Sequence, residues 1–308
     1  MAIHSAICLA GPTASGKTGL AIRLRERLPL EIISVDSALV YRGMDIGTAK
    51  PDAKTLEIAP HRLIDIREPE DSYSAGEFVR DALTEIREIR ESGRVPLLVG
   101  GTMMYFRSLT EGIAKLPGAD PVIRTELDEQ AAAVGWPAMH EKLSIIDPVA
   151  AARIDPNDSQ RIQRALEVFA ISAVPISEWQ SAGRRPEDSY LRVSLVPGSR
   201  AVLHERIASR LQRMIEDGFV EEVDRLRQRP GLSSRSPSMR AVGYRQIWSH
   251  LDGNCDLSSA ASRALAATRQ LAKRQLTWLR ADWREHPFDP LEHASFDAIL
   301  SLLDRHLN

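Results

Sequence analysis

Ser5-Ala6-Ile7-Cys8-Leu9-Ala10 runs straight into Gly11-Pro12-Thr13-Ala14-Ser15-Gly16-Lys17-Thr18, and Leu20, Ile22, Leu24 and Leu28 follow in a helical pattern. An apolar run, a Gly-rich turn and an amphipathic stretch in that order read as strand, loop and helix. The turn satisfies G-x-x-x-x-G-K-[ST] at the strand-to-helix junction that a phosphate loop requires. A chance match in a chain this long has odds on the order of one in a hundred. Backbone N–H groups of such a loop point into one concavity, the helix N-terminus adds partial positive charge, and Lys17 adds a full one. The Thr18 hydroxyl can bind Mg²⁺. Gly11 to Thr18 are therefore the expected polyphosphate site, and the loop does not specify whose polyphosphate it holds.

Outward from the loop the alternation continues. Pro29 closes the first helix, and Glu31-Ile32-Ile33-Ser34-Val35 is a second apolar run ending at Asp36. Tyr41 to His61 holds Gly43, Gly47, Pro51 and Pro60 with no apolar periodicity, which predicts a long exposed loop. Ser74-Ala75-Gly76-Glu77 has the form of a capping box before Phe78, Leu83, Ile86 and Ile89, so a helix of about four turns is expected, stopped by Gly93. Val95-Pro96-Leu97-Leu98-Val99 is a third strand, breaking at Gly100-Gly101-Thr102. Strands alternating with helices predict an α/β fold, a P-loop NTPase-like parallel sheet flanked by helices. From about Leu116 the texture is helical only, until Tyr190 to Val196 resumes a strand pattern. Residues 1–116 are thus read as the first part of the core, 117–185 as an inserted all-helical domain, and 186–308 as the completion of the core. In that last part Leu203, Ile207, Leu211, Met214 and Ile215 mark a helix with Arg206, Arg210 and Arg213 off its apolar stripe, and a final helical tract runs from about Ser258 to Arg284.

The composition is that of a globular chain: of 308 residues 43% are hydrophobic and 27% charged, which argues against disorder and fibrous structure. Cys8 and Cys255 lie far apart and match no disulfide framework or metal spacing, so a reducing cytoplasm is expected. Apolar stretches such as Val95 to Val99 are far too short to span a bilayer, and the N-terminus has no basic region followed by a long apolar run. No membrane partner and no export signal are expected. Net charge is −2 overall, yet residues 235 to 284 carry nine Lys or Arg against three acids, a local +6. On a helix Arg269, Lys273, Arg280 and Arg284 share a face beside Leu265, Ala272, Leu276, Leu279 and Trp283. With Tyr244, Arg245, Trp248 and Trp278 in the same segment, phosphate tracking with base stacking on RNA is one reading and a solvated helix face is the other.

In a parallel sheet the loops beyond the strand C-termini converge on one edge, so the phosphate loop, Asp36-Ser37 and Thr102 are expected to share a crevice. Taken alone, Asp36 also reads as a turn or cap residue and Thr102 as the N-cap of the next helix. A carboxylate beside a phosphate loop suggests a Walker B ligand or a kinase base. The third strand, however, ends in Val99-Gly100-Gly101-Thr102, and Asp65 follows too short an apolar run in Leu63-Ile64. The loop is legible and hydrolytic machinery is not. From these residues a small-molecule or nucleoside kinase using ATP and an RNA-binding module with a degenerate nucleotide site both stay open.

Several longer strings carry a resemblance. Gly11 to Thr18, Ile33-Ser-Val-Asp-Ser-Ala-Leu39, Gly43-Met-Asp-Ile-Gly-Thr-Ala-Lys50, Leu97-Leu-Val-Gly-Gly-Thr-Met103, Arg240-Ala-Val-Gly-Tyr-Arg245 and Thr268-Arg-Gln-Leu-Ala-Lys-Arg-Gln275 closely resemble the bacterial tRNA dimethylallyltransferase family, in the family's order, over about residues 5 to 285. The resemblance implies transfer of a dimethylallyl group from dimethylallyl diphosphate to N6 of the adenosine 3′-adjacent to the anticodon, in tRNAs reading codons that begin with U. Diphosphate leaves, Mg²⁺ is the expected cofactor, the tRNA anticodon stem-loop is the partner, and the chain is expected to act as a monomer in the cytoplasm. It would also explain the missing hydrolytic parts, since no NTP need be split. An exocyclic adenine amine is a poor nucleophile, so a carboxylate that takes its proton is the natural aid, and Asp36 is the candidate. Lys17 stabilises the leaving diphosphate; the resemblance adds Arg161 and Arg210 to that cation set and puts Thr102 near the reacting amine. It further implies tRNA contacts from Asp36, Ser37, Ala38 and Leu39; from Thr102 and Arg124; from Gln160, Arg161, Ile162, Gln163 and Arg164; from Arg240, Ala241, Val242, Gly243, Tyr244 and Arg245; and from Lys273, Arg274, Gln275, Leu276, Thr277, Trp278, Leu279 and Arg280.

Overall fold

The computed structural model describes residues 5–181, 189–292 and 294–307. The chain clusters into two compact units, Met1–Thr110 with Glu187–Asn308, and Glu111–Pro186. The expected upper edge of the insertion, at residues 185 and 186, lies outside the described residues.

In the first unit β1 (Ala6–Ala10) is buried at all five positions, which a continuous apolar run predicts for a strand covered on both faces. After the phosphate loop come α1 (Lys17–Arg25), β2 (Leu30–Val35), α2 (Ala53–Ile58), β3 (His61–Arg62), α3 (Ala75–Glu91), β4 (Val95–Gly100) and α4 (Met103–Thr110). The capping box at α3 is formed in both directions, Ser74 with the Glu77 amide and Glu77 with the Ser74 amide.

The second unit holds α5 (Pro121–Val134), α6 (Trp136–Ile146), α7 (Pro148–Ala151), α8 (Ser159–Ser172) and α9 (Ile176–Ser181), packed around Leu127, Met139, Leu143, Ile162, Leu166 and Val168. The first unit then resumes with β5 (Tyr190–Leu195), α10 (Arg200–Glu216), α11 (Phe219–Arg227), a single 3₁₀ turn at Ser238–Arg240, α12 (Tyr244–Leu251), α13 (Leu257–Asp282), β6 (Pro287–Phe288) and α14 (Ala294–Leu307). None of the described helices is long and apolar enough to cross a membrane.

The six strands form one sheet in the order β3-β2-β4-β1-β5-β6, and every pairing is parallel. The strand feeding the phosphate loop is therefore central, with β4 on one side and β5 on the other. The chain leaves β1 and crosses past β4 to reach β2, which opens a crevice beyond the strand ends. Two strands, β3 and β6, are only two residues long, too short to show any period in sequence.

The predicted exposed loop from Tyr41 to His61 is corrected. Asp52 caps α2 within it through the Thr55 amide, and β3 begins at His61. Val40, Tyr41 and Met44 are buried in the same cluster as Phe219, Val223 and Tyr244. They plug the core one at a time from irregular backbone, so no helical or strand period exists to read. Gly47 lies where this segment crosses the edge-to-face pair of Phe219 and Tyr244, whose centroids are 5.0 Å apart. A Cβ on Gly47 would sit 2.0 Å from Phe219 Cε2 and 2.7 Å from Tyr244 Cε2. Both rings are fully buried and cannot swing away. Gly47→Ala is expected to cost about 1–3 kcal/mol as overpacking, read as a fall of several degrees in Tm; an unchanged melting curve would show that the loop lifts off the rings at no cost.

Candidate active site

The three loops expected to converge do so. Thr13, Ala14, Lys17 and Thr18 line one cleft of about 1100 Å³ together with Asp36 to Leu39 and Gly100 to Met104. Backbone geometry forces this meeting. The end of β4 lies so close to β2 that a Cβ on Gly100 would fall 2.0 Å from the Val35 carbonyl oxygen. The Thr102 amide then donates to that carbonyl at 3.2 Å, which sets Thr102 beside Asp36.

Asp36 and Thr102 each combine a local task with a place in the cleft. Asp36 Oδ1 accepts the amides of Ala38 (2.8 Å) and Leu39 (3.3 Å), so one oxygen does serve the turn. Among the described residues Oδ2 accepts no hydrogen bond. Thr102 does begin a helix, since its carbonyl accepts the Tyr105 amide at 2.9 Å, but its hydroxyl oxygen is directed elsewhere and accepts the Ser37 amide at 3.1 Å. The side chain ties the second loop to the third.

The phosphate loop is held in a strained form. Ala14 takes a left-handed φ of 62°, which costs an alanine on the order of 1 kcal/mol. Lys17 Nζ folds back to donate to the Pro12 carbonyl at 2.6 Å. Burial pushes the Lys17 ammonium down to about 7, Asp36 opposes that shift, and Arg210 adds to it. Ser15 Oγ is buried within the loop with no hydrogen-bond partner among the described residues, an unmet donor suited to an anionic oxygen. Arg210 reaches the cleft from α10 and donates through Nη2 to the Thr48 carbonyl at 3.2 Å.

The opposite wall carries Arg240 to Tyr244, Lys273 to Gln275, Thr277 and Trp278. Arg107 lies 5.4 Å over the Trp278 ring and holds it at the wall. Gln275 is the residue whose part sequence reading missed. Its Oε1 accepts the Thr13 amide at 2.9 Å while its Nε2 donates to the Gly101 carbonyl at 2.8 Å. One buried amide on the basic helix thereby clamps the phosphate loop to the end of β4.

Several members of the expected tRNA-contact runs are buried. Ile162 and Tyr244 are 0% exposed and Leu279 1%, and Leu276 is buried beside Ala272. A contiguous run on a helix necessarily includes positions that face its own core, and these are such positions. Arg245 and Arg280 are exposed. Arg161, Arg124, Gln160, Gln163 and Arg164 belong to the helical unit. There Arg161 is exposed and paired with Asp158. Arg124 and Arg164 both bond the fully buried Glu167, at 2.8 and 2.6 Å. Burial raises that carboxyl, but the Arg124 and Arg164 bonds outweigh it and hold it below the usual range.

A parallel α/β chain with a phosphate loop on its central strand, a carboxylate across the cleft and a basic, aromatic wall is a phosphate-loop protein. The IPP transferase family model matches residues 39–282, and the chain belongs to that family. It is 51% identical over 310 residues to the tRNA dimethylallyltransferase of Ralstonia pickettii, covering 98% of this chain and 95% of the relative. It is 56% identical to that of Thiobacillus denitrificans, over 91% of this chain and 90% of the relative. Among solved structures it resembles the full-length tRNA isopentenylpyrophosphate transferase of Bacillus halodurans, with a TM-score of 0.70 and 37% identity over 98% of this chain and 96% of that one.

Proposed function

We propose that the chain moves the dimethylallyl group of dimethylallyl diphosphate to N6 of the adenosine 3′-adjacent to the anticodon, in tRNAs reading codons that begin with U. The observation that carries this is the single cleft shared by the phosphate loop, Asp36 and the Arg240 and Trp278 wall. Asp36 Oδ2 takes the proton from N6 as the N6–C1 bond forms, while the C1–O bond breaks and its electron pair departs with the diphosphate. Lys17, Arg210, the Ser15 hydroxyl and the loop amides meet the charge that develops there, more strongly at the transition state than before it. Thr102 holds the Ser37 turn at the side of the reacting amine. The target base leaves its stack at a cost of a few kcal/mol, which contacts along the basic wall offset.

Thr18 is exposed in the first turn of α1, and among the described residues no cluster of three His, Cys, Asp or Glu could cage a metal. That donor set fits Mg²⁺, which binds few protein oxygens and keeps waters and phosphate oxygens. Thr18 would hold it, and its charge would help neutralise the diphosphate.

Mass analysis of an anticodon-loop oligonucleotide incubated with protein, dimethylallyl diphosphate and Mg²⁺ tests the function. One added dimethylallyl group on the target adenosine is expected; ATP turnover with labelled acceptors and no prenyl product would favour the kinase. Lys273→Ala and Arg280→Ala are expected to weaken tRNA binding and reduce its salt slope by about one each. An unchanged slope in a salt titration would return α13 to the solvated-face reading.

A further inference from the structure

Glu222 is an acid at a core position. On α11 it shares the inward face with Phe219, Val223 and Leu226, and it is 2% exposed. Four donors converge on its two oxygens. The Asp45 and Ile46 amides reach Oε2 at 3.0 and 2.7 Å, and the Gly47 amide and the Tyr244 hydroxyl reach Oε1 at 3.1 and 2.5 Å. A buried carboxylate is tolerated only when its lone pairs are met, and here three successive backbone amides meet them. Burial and Glu222 itself push the Tyr244 hydroxyl well above its ordinary range, which keeps it a donor.

The next residue along the chain, Thr48, links this carboxylate to the cleft. Thr48 Oγ1 closes the same turn on the carbonyls of Met44 (2.6 Å) and Asp45 (3.1 Å), and the Thr48 carbonyl is the group that holds Arg210. Arg210 is half-buried, and burial pushes its pKa down despite Asp36. Among the described residues the Thr48 carbonyl is the hydrogen-bond partner of the Arg210 guanidinium, so its direction in the cleft depends on where the carbonyl stands.

We propose that Glu222 is a positioning residue: by ordering the 45–48 turn through three amides it places the Thr48 carbonyl and so aims Arg210 at the diphosphate. The proposal rests on the reading of Arg210 as a diphosphate cation. Glu222→Gln keeps shape but offers one acceptor oxygen to four donors, so the turn loosens.

The test is the affinity of the full chain for inorganic pyrophosphate by calorimetry, in wild type, Arg210→Met, Glu222→Gln and the double variant. Arg210→Met is expected to weaken binding more than tenfold and Glu222→Gln at least fivefold, with the double variant within twofold of Arg210→Met because both changes act through one guanidinium. In Glu222→Gln the KM for dimethylallyl diphosphate rises more than fivefold while the KM for the anticodon stem-loop stays within twofold, a split that general loosening of the fold would not give. If Glu222→Gln fails to fold, Tyr244→Phe removes one donor of the four and is expected to give a two- to fivefold loss with the same non-additivity. Wild-type affinity in Glu222→Gln beside a weakened Arg210→Met, or losses that multiply in the double variant, would overturn the positioning role. Wild-type affinity in Arg210→Met would instead remove the diphosphate reading of Arg210 and this route with it.

Discussion

Asp36→Asn lowers the rate of prenyl transfer about 10²- to 10⁴-fold while tRNA affinity stays within a few-fold. The two oxygens of Asp36 have separate tasks, which makes this substitution selective. Oδ1 accepts the Ala38 and Leu39 amides, and an asparagine carbonyl oxygen can keep both bonds and so the shape of the turn. Oδ2 becomes an amide nitrogen that cannot accept a proton, and the amine must then lose its proton to water. Thr102 and Ser37 still tie the two loops together, so the docking surface survives. Single-turnover kinetics with saturating donor reads the rate, and filter binding of the stem-loop reads the affinity. A collapse of affinity with little loss of rate would make Asp36 a docking group.

Lys17→Ala lowers kcat/KM for dimethylallyl diphosphate by about 10²- to 10³-fold, the scale of losing one preorganised donor to a developing anion. Lys17 carries a titration signature that separates it from the other cations. Burial leaves its ammonium at about 7 in the free protein, with Arg210 pushing the same way and Asp36 opposing. At pH 8 the free site is therefore mostly neutral at Lys17. A bound polyanion favours the charged form and raises that pKa above the pH, so on binding inorganic pyrophosphate at pH 8 the wild type is expected to take up close to one proton more than Lys17→Ala, and progressively less of an excess below pH 7. Calorimetry in buffers of different ionisation enthalpy measures the proton exchange of each protein, and the titration of pyrophosphate itself, common to both, cancels in the difference. Equal proton uptake in the two proteins would mean that Lys17 is charged throughout or does not meet the anion.

The phosphate loop was legible because its chemistry demands fixed residues at fixed spacing, and Asp36 and Thr102 because a parallel sheet puts its strand ends on one edge. The rest was hidden for physical reasons. The family resemblance groups Gln275 with the expected tRNA contacts of α13, since nothing local distinguishes a glutamine aimed at solvent from one that clamps two loops far away in sequence. Ile162, Tyr244, Leu276 and Leu279 were carried along by continuous runs although the helical period turns them inward. Glu222 did leave a trace: Phe219, Glu222, Val223 and Leu226 fall at i, i+3, i+4 and i+7, an acid inside an apolar stripe, which implies buried donors without naming them. Those donors are backbone amides of the irregular 45–47 turn, which no side-chain pattern can announce.

The central claim is that one cleft holds two linked phosphates in the Gly11 to Thr18 loop and an unstacked adenine at Asp36. A crystal structure with an unreactive thiolo analogue of the donor and an anticodon stem-loop measures this directly. The diphosphate is expected against Lys17 and Arg210, with N6 of the target adenosine within about 3.2 Å of Asp36 Oδ2. An Asp36 carboxylate turned away from a base seated elsewhere, or a diphosphate bound outside the loop, would contradict it.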